Sequence, residues 1–198
     1  MNDTQAIKRL IEALCPELKG RIQARREPTS LQRDASEQSV LGWTDRIADV
    51  VYSNERPVAC IFVHRDSDID DPQGRLQQET ETALRDSGLP NAHAVVPVHE
   101  IEAWWLLFPD ATEQLRPSVW KDALQRSSRN WDAVANPKEE LRERTGRGDR
   151  RHAYSEADSP RIAEHIASAI ESGVALTGLS PSFERFRDSV AECCATVP

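Results

Sequence analysis

Asp66 and Asp68 stand one residue apart, just after the apolar run Val58-Ala59-Cys60-Ile61-Phe62-Val63 and its sequel His64-Arg65. In an extended segment, side chains two residues apart face the same way, so the two carboxylates converge. Carboxylates held together repel each other unless a cation neutralises them. Mg²⁺ suits such a pair, because it takes hard oxygen ligands and often only one or two carboxylates alongside water and phosphate. Asp70 and Asp71 add further acid directly downstream. An acidic turn selected for chain reversal would carry the same residue types without an ion.

A second apolar run, Ala92-His93-Ala94-Val95-Val96-Pro97-Val98, ends in His99-Glu100-Ile101-Glu102. If the two runs are neighbouring strands, Glu100 or Glu102 faces the Asp pair and supplies the third acid that metal-assisted phosphate chemistry uses. The competing reading is that glutamates in a first helical turn answer the helix dipole. His64 and His99 flank these acids, and with carboxylates they would compose a zinc set; histidines in such places more often orient neighbours.

Phosphate contact needs positive charge, and the chain as a whole has a formal net charge of −8. That balance disfavours broad nonspecific binding to nucleic acid and demands a local basic face. Lys138, Arg147, Arg150 and Arg151 lie in the most basic stretch and are the candidates for it. No Gly-rich nucleotide loop, Gly-x-Ser-x-Gly elbow or His-Glu-x-x-His is present, which disfavours a P-loop motor, a serine hydrolase and a zinc metalloprotease.

The elements that must position these residues follow from periodicity. Ala6, Ile7, Leu10, Ile11 and Leu14 predict a helix from Asn2 or Asp3, closed by Pro16 and Gly20. Alternation over Arg21–Arg25 predicts a short strand, Pro28–Ala35 a loop, and Ser36–Ser53 a second helix. The two apolar runs read as parallel strands covered on both faces, separated by a helix from Gly74 to Asp86. Trp104 and Trp105, in a helix over Glu100–Phe108, read as packing residues. Short helices are expected over Pro109–Ser128 and Pro137–Arg144, an Arg-rich loop over Thr145–His152, and longer helices from Ser159 and Ser182. Strands alternating with helices define an α/β class with a parallel sheet. Cys15, Cys60, Cys193 and Cys194 match no zinc spacing and read as reduced thiols. With no leader-like start and no apolar run near the ~20 residues of a membrane span, the expected location is the cytoplasm.

The strand ending in His64-Arg65-Asp66-Ser67-Asp68 resembles the second acidic motif of a Toprim domain. Together with Val96-Pro97-Val98-His99-Glu100-Ile101-Glu102-Ala103-Trp104-Trp105, Asn136-Pro137-Lys138-Glu139-Glu140-Leu141 and Ser180-Pro181-Ser182-Phe183, it is similar to a bacterial Toprim-like family of unknown function (domain of unknown function four-two-seven-six). The likeness runs from about Pro57 to Arg187. It implies an α/β Toprim-like Rossmannoid parallel sheet flanked by helices over residues 1–110, with a helical C-terminal part over 111–198. It further implies Mg²⁺ or Mn²⁺ held by Asp66 and Asp68, with Glu102 as an additional catalytic acid; Asp70 and Glu100 join the candidate metal ligands from the reading of the residues above. The implied activity is that of a nuclease or phosphodiester-transfer enzyme on nucleic acid, in anti-phage defence; the alternative is a non-catalytic module that partners an ATPase. Toprim domains carry a glutamate at the end of a first strand. That strand has no counterpart ahead of the first helix here, so the expectation is that it lies upstream or that Asp3 takes part of its role.

Overall fold

The computed structural model describes residues 2–25, 37–67, 70–71, 73–89, 91–124 and 126–197. Its elements in chain order are α1 (Asn2–Leu14), α2 (Glu37–Tyr52), β1 (Ile61–His64), α3 (Arg75–Asp86), β2 (Ala92–Val95), α4 (Glu102–Trp105), α5 (Pro109–Glu113), α6 (Pro137–Thr145), α7 (Ser159–Glu171) and α8 (Pro181–Cys194). The class is mixed α/β: among the described residues, a two-stranded parallel sheet is flanked by helices.

The strands pair in the register Ile61↔Ala92 to His64↔Val95. The ladder continues past them, since the Arg65 amide donates to the Val95 carbonyl and the Ser67 amide to the Pro97 carbonyl. Helix α3 makes the crossover that parallel pairing requires. Its start is fixed by Asp71, whose carboxylate accepts from the Arg75 and Leu76 amides, both at 2.9 Å. These bonds satisfy two of the donors a helix leaves unpaired at its start. Gly74 sits between them at φ 68°, and a Cβ there would come within 2.8 Å of the Arg185 guanidinium.

Three expectations are corrected. Arg21–Arg25 form no strand: Arg21 lies in a turn and residues 22–25 have no regular structure. The first apolar run is not covered on both faces: Val63 is buried, but Ile61 and Phe62 are only half-buried and Val58 is exposed. Among the described residues, β2 is the strand that pairs with β1. The cysteines are not free thiols; they form the disulfides Cys15–Cys194 and Cys60–Cys193. The partners lie 179 and 133 residues apart, a pairing that local spacing does not reveal. The predicted loop over Pro28–Ala35 lies outside the described residues.

One large core joins the two halves of the chain. It runs from Ala6, Ile7 and Leu10 of α1 through Trp104 and Trp105 to Ile162 and Ile166 of α7 and Phe183 and Phe186 of α8. Trp104 and Trp105 are fully buried, as their helical context predicts. Trp104 stacks on Phe186 at 5.0 Å, meets Phe183 edge-on, and donates its indole N–H to Ser182 Oγ at 2.9 Å. Behind that contact lies buried Asp132, whose carboxylate accepts from Ser180 Oγ, the Ser182 amide and Ser182 Oγ. The Ser-Pro-Ser-Phe segment is therefore a helix start anchored to a buried acid. A smaller core of Trp43, Val63, Leu84 and Leu89 lies between α2, β1 and α3. No helix among the described residues is long and apolar enough to cross a membrane.

Candidate metal and acid–base site

The C-terminal end of β1 brings ligand-type atoms together. His64 and Asp66 are two residues apart in an extended segment, so both project from the face opposite Val63. His64 Nε2 and Asp66 Oδ1 lie 3.5 Å apart. Both atoms are shielded from solvent, and neither has a hydrogen-bond partner. Buried polar atoms are normally paired, so two facing orphans at a strand end call for an explanation.

Asp3 enters the same neighbourhood from the first turn of α1. Burial pushes its carboxyl above the usual range; the charge of His64 opposes that shift, and the charges of Asp66 and Glu156 add to it.

Glu102 lies deeper, at 3% exposure. Burial raises its pKa to about 7, against the opposing pull of Tyr154 and Lys138. The Tyr154 hydroxyl donates to Glu102 Oε1 at 2.7 Å and lies 2.7 Å from Ser159 Oγ. Above this pair sits Lys138, whose Nζ is 2.7 Å from Glu100 and 3.2 Å from Glu156. Burial pulls the Lys138 ammonium down, but Glu100, Glu102 and Glu156 outweigh it, and the net shift is upward. Glu156 adds to the upward shift of Asp3 and pairs with Lys138, so its charge acts on both groups.

The remaining sequence candidates separate by what they touch. Asp68 lies outside the described residues. Asp70, with its side chain 83% exposed, pairs with His99 Nε2 at 2.9 Å. His99 holds φ 61° and donates its amide to Ser67 Oγ, tying the two strand ends together. Glu100 accepts from the Lys138 amide as well as from its ammonium, so it serves the start of α6. Arg151 is engaged by Asp149 in a charged fork. Arg147 and Arg150 are exposed, and neither has an acidic partner among the described residues.

Among the described residues, the one trio of ligand side chains whose atoms all lie within 4.8 Å of one another is Cys15, Glu17 and Cys194. Its two sulfurs are bonded to each other and cannot act as thiolates. Asp66, Glu100 and Glu102 do not converge to that distance, so a three-carboxylate site from those residues is not formed. The orphaned pair of His64 and Asp66 does fit a divalent ion: two ligands of one ion at about 2.1 Å each stand about 3.0–3.4 Å apart at octahedral or tetrahedral angles. Sequence reading missed Tyr154 and Asp132, which carry no local pattern. It also missed Glu156, although Ser155-x-x-Asp158 is a capping signature and forms a capping box.

Comparison of the chain with protein-family models, with curated proteins and with solved structures found no match.

Proposed function

We propose that the end of β1 holds a divalent cation, Mg²⁺ or Mn²⁺, and that the protein hydrolyses or transfers phosphodiesters of nucleic acid. The observation that carries this reading is the facing pair of buried, unpaired ligand atoms on His64 and Asp66. Its place past the carboxyl ends of parallel strands is where α/β sheets bind ligands. Asp66 and Asp68 hold the ion, and the Asp3 carboxyl adds negative charge to its surroundings. The cation supplies charge neutralisation on phosphate oxygens and an activated water. Glu102 serves as an additional acid, and Lys138, held by Glu100 and Glu156, offers positive charge to the phosphate. Arg147 and Arg150 steer the polyanion.

The test is cleavage of duplex DNA, single-stranded RNA and transfer RNA with each metal. Asp66→Ala and Asp68→Ala are expected to lose about a hundredfold or more in rate. Unchanged cleavage in Asp66→Ala refutes the assignment. A second reading, a non-catalytic module that docks on an ATPase, draws support from Asp70, Glu100 and Lys138, each engaged by a neighbouring side chain. It takes precedence if the wild type binds Mn²⁺ and cuts none of the three substrates.

A further inference from the structure

We infer that His64 is itself a ligand, which makes the ion at this site a divalent transition metal that accepts an imidazole nitrogen rather than one held by oxygens alone. The inference rests on the reading above, and it concerns which atoms touch the ion.

His64 is the last residue of β1, and pairing with Val95 sets its backbone. Alternation then sends its ring to the Asp66 side, away from the Trp43–Leu84–Leu89 core that receives Val63. Its Nε2 is sunk from solvent and unpaired, and it lies 3.5 Å from an Asp66 oxygen that is also unpaired. A protonated histidine paired with Asp66 is the competing account. Such a pair would place an N–H donor on the carboxylate at the 2.7–2.9 Å of a charge-assisted bond. The observed separation is too long for that and close to the span of two ligands around one ion. His99, by contrast, already has its Nε2 on Asp70 at 2.9 Å, and His93 is stacked on Phe62. Neither competes with His64 for this place.

Ligand chemistry then sets the choice of metal. Imidazole nitrogen suits first-row transition ions, whereas Mg²⁺ favours oxygen and water. One imidazole with Asp66, and with Asp3 as a nearby charge, is a mixed nitrogen–oxygen set of the kind Mn²⁺ accepts.

The experiment uses the full chain with Mn²⁺ alone as probe. Pulsed electron paramagnetic resonance of the bound ion reads directly coordinated nitrogen through its ¹⁴N coupling and needs no activity. We expect imidazole coupling in the wild type and its loss in His64→Gln. By titration, His64→Gln is expected to weaken Mn²⁺ binding about tenfold or more while changing Mg²⁺ affinity by less than about threefold. Mn²⁺ bound without ¹⁴N coupling overturns the role of His64 and leaves the Asp66 site standing. No Mn²⁺ binding in the wild type overturns both.

Discussion

Glu102→Gln isolates the effect of burying an ionisable acid, because glutamine keeps an oxygen that accepts from the Tyr154 hydroxyl and cannot ionise. Glu102 is 3% exposed, and its pKa is raised from 4.5 to about 7, chiefly by burial. The folded state therefore holds a proton between those values that the unfolded chain has released. Stability is then fully present below pH 4.5, falls as pH rises toward 7, and levels off above that. At 1.36 kcal/mol for each tenfold change in proton affinity, the loss is about 3 kcal/mol. Asp3, whose pKa is also raised, adds a loss of the same sign. That contribution is common to wild type and variant and cancels in their difference. The assay is urea unfolding of both proteins at several pH values from 4.5 to about 8, without reductant so that the disulfides stay closed. The gap in unfolding free energy is expected to move by about 3 kcal/mol in favour of Glu102→Gln across that range. Removing the cation above it, in Lys138→Met, is expected to move the inflection to higher pH. A gap that stays constant with pH would show that Glu102 carries no raised pKa and refute the reasoning.

Asp132→Ala removes the acceptor of three donors at the start of α8, and is expected to cost about 3 kcal/mol, read as a fall of about 6–12 °C in Tm; an unchanged Tm would mean the serines find other partners. For polyanion steering, Arg147→Ala with Arg150→Ala is expected to flatten the slope of log K against log salt for RNA by about 2, whereas Arg151→Ala, already neutralised by Asp149, changes it little. Equal effects from all three arginines would show that the Asp149 fork opens on binding.

Helices were legible where an apolar stripe repeats with helical period. Ile7, Leu10, Ile11 and Leu14 mark α1, and Ile162, Ala163 and Ile166 mark α7, each helix starting within a residue of the expected position. The strands were legible as apolar runs, but their extent was not. A run of six apolar residues says nothing about whether a neighbour exists to pair with Val58–Cys60, and only Ile61–His64 has one among the described residues. The short alternation over Arg21–Arg25 failed for the same reason: alternation marks a strand only when a sheet is there to receive it. The acids were legible as types. Their partners were not, because Glu102 meets Tyr154 from 52 positions away and Asp132 meets Ser182 from 50. The cysteine pairs are the extreme case of such separation.

What distinguishes a structural acid from a candidate ligand is whether its charge is answered by the protein itself. Asp71 is answered by two helix amides, Asp70 by His99, Glu100 by Lys138, and Asp158 by both nitrogens of the Arg116 fork. Each has the residue type of a metal ligand, and each is already engaged. Among the acids of the described residues, a buried carboxylate oxygen without a hydrogen-bond partner is found at Asp66. Leaving such an oxygen unpaired costs about 1–3 kcal/mol, more when it is charged. A fold keeps that cost where something outside the chain removes it, and a cation shared with His64 Nε2 would satisfy both orphaned atoms at once. The position of the candidate site follows from that unmet demand and not from the density of aspartates around it; the Glu100–Lys138 pair, whose charges already meet, makes no such demand.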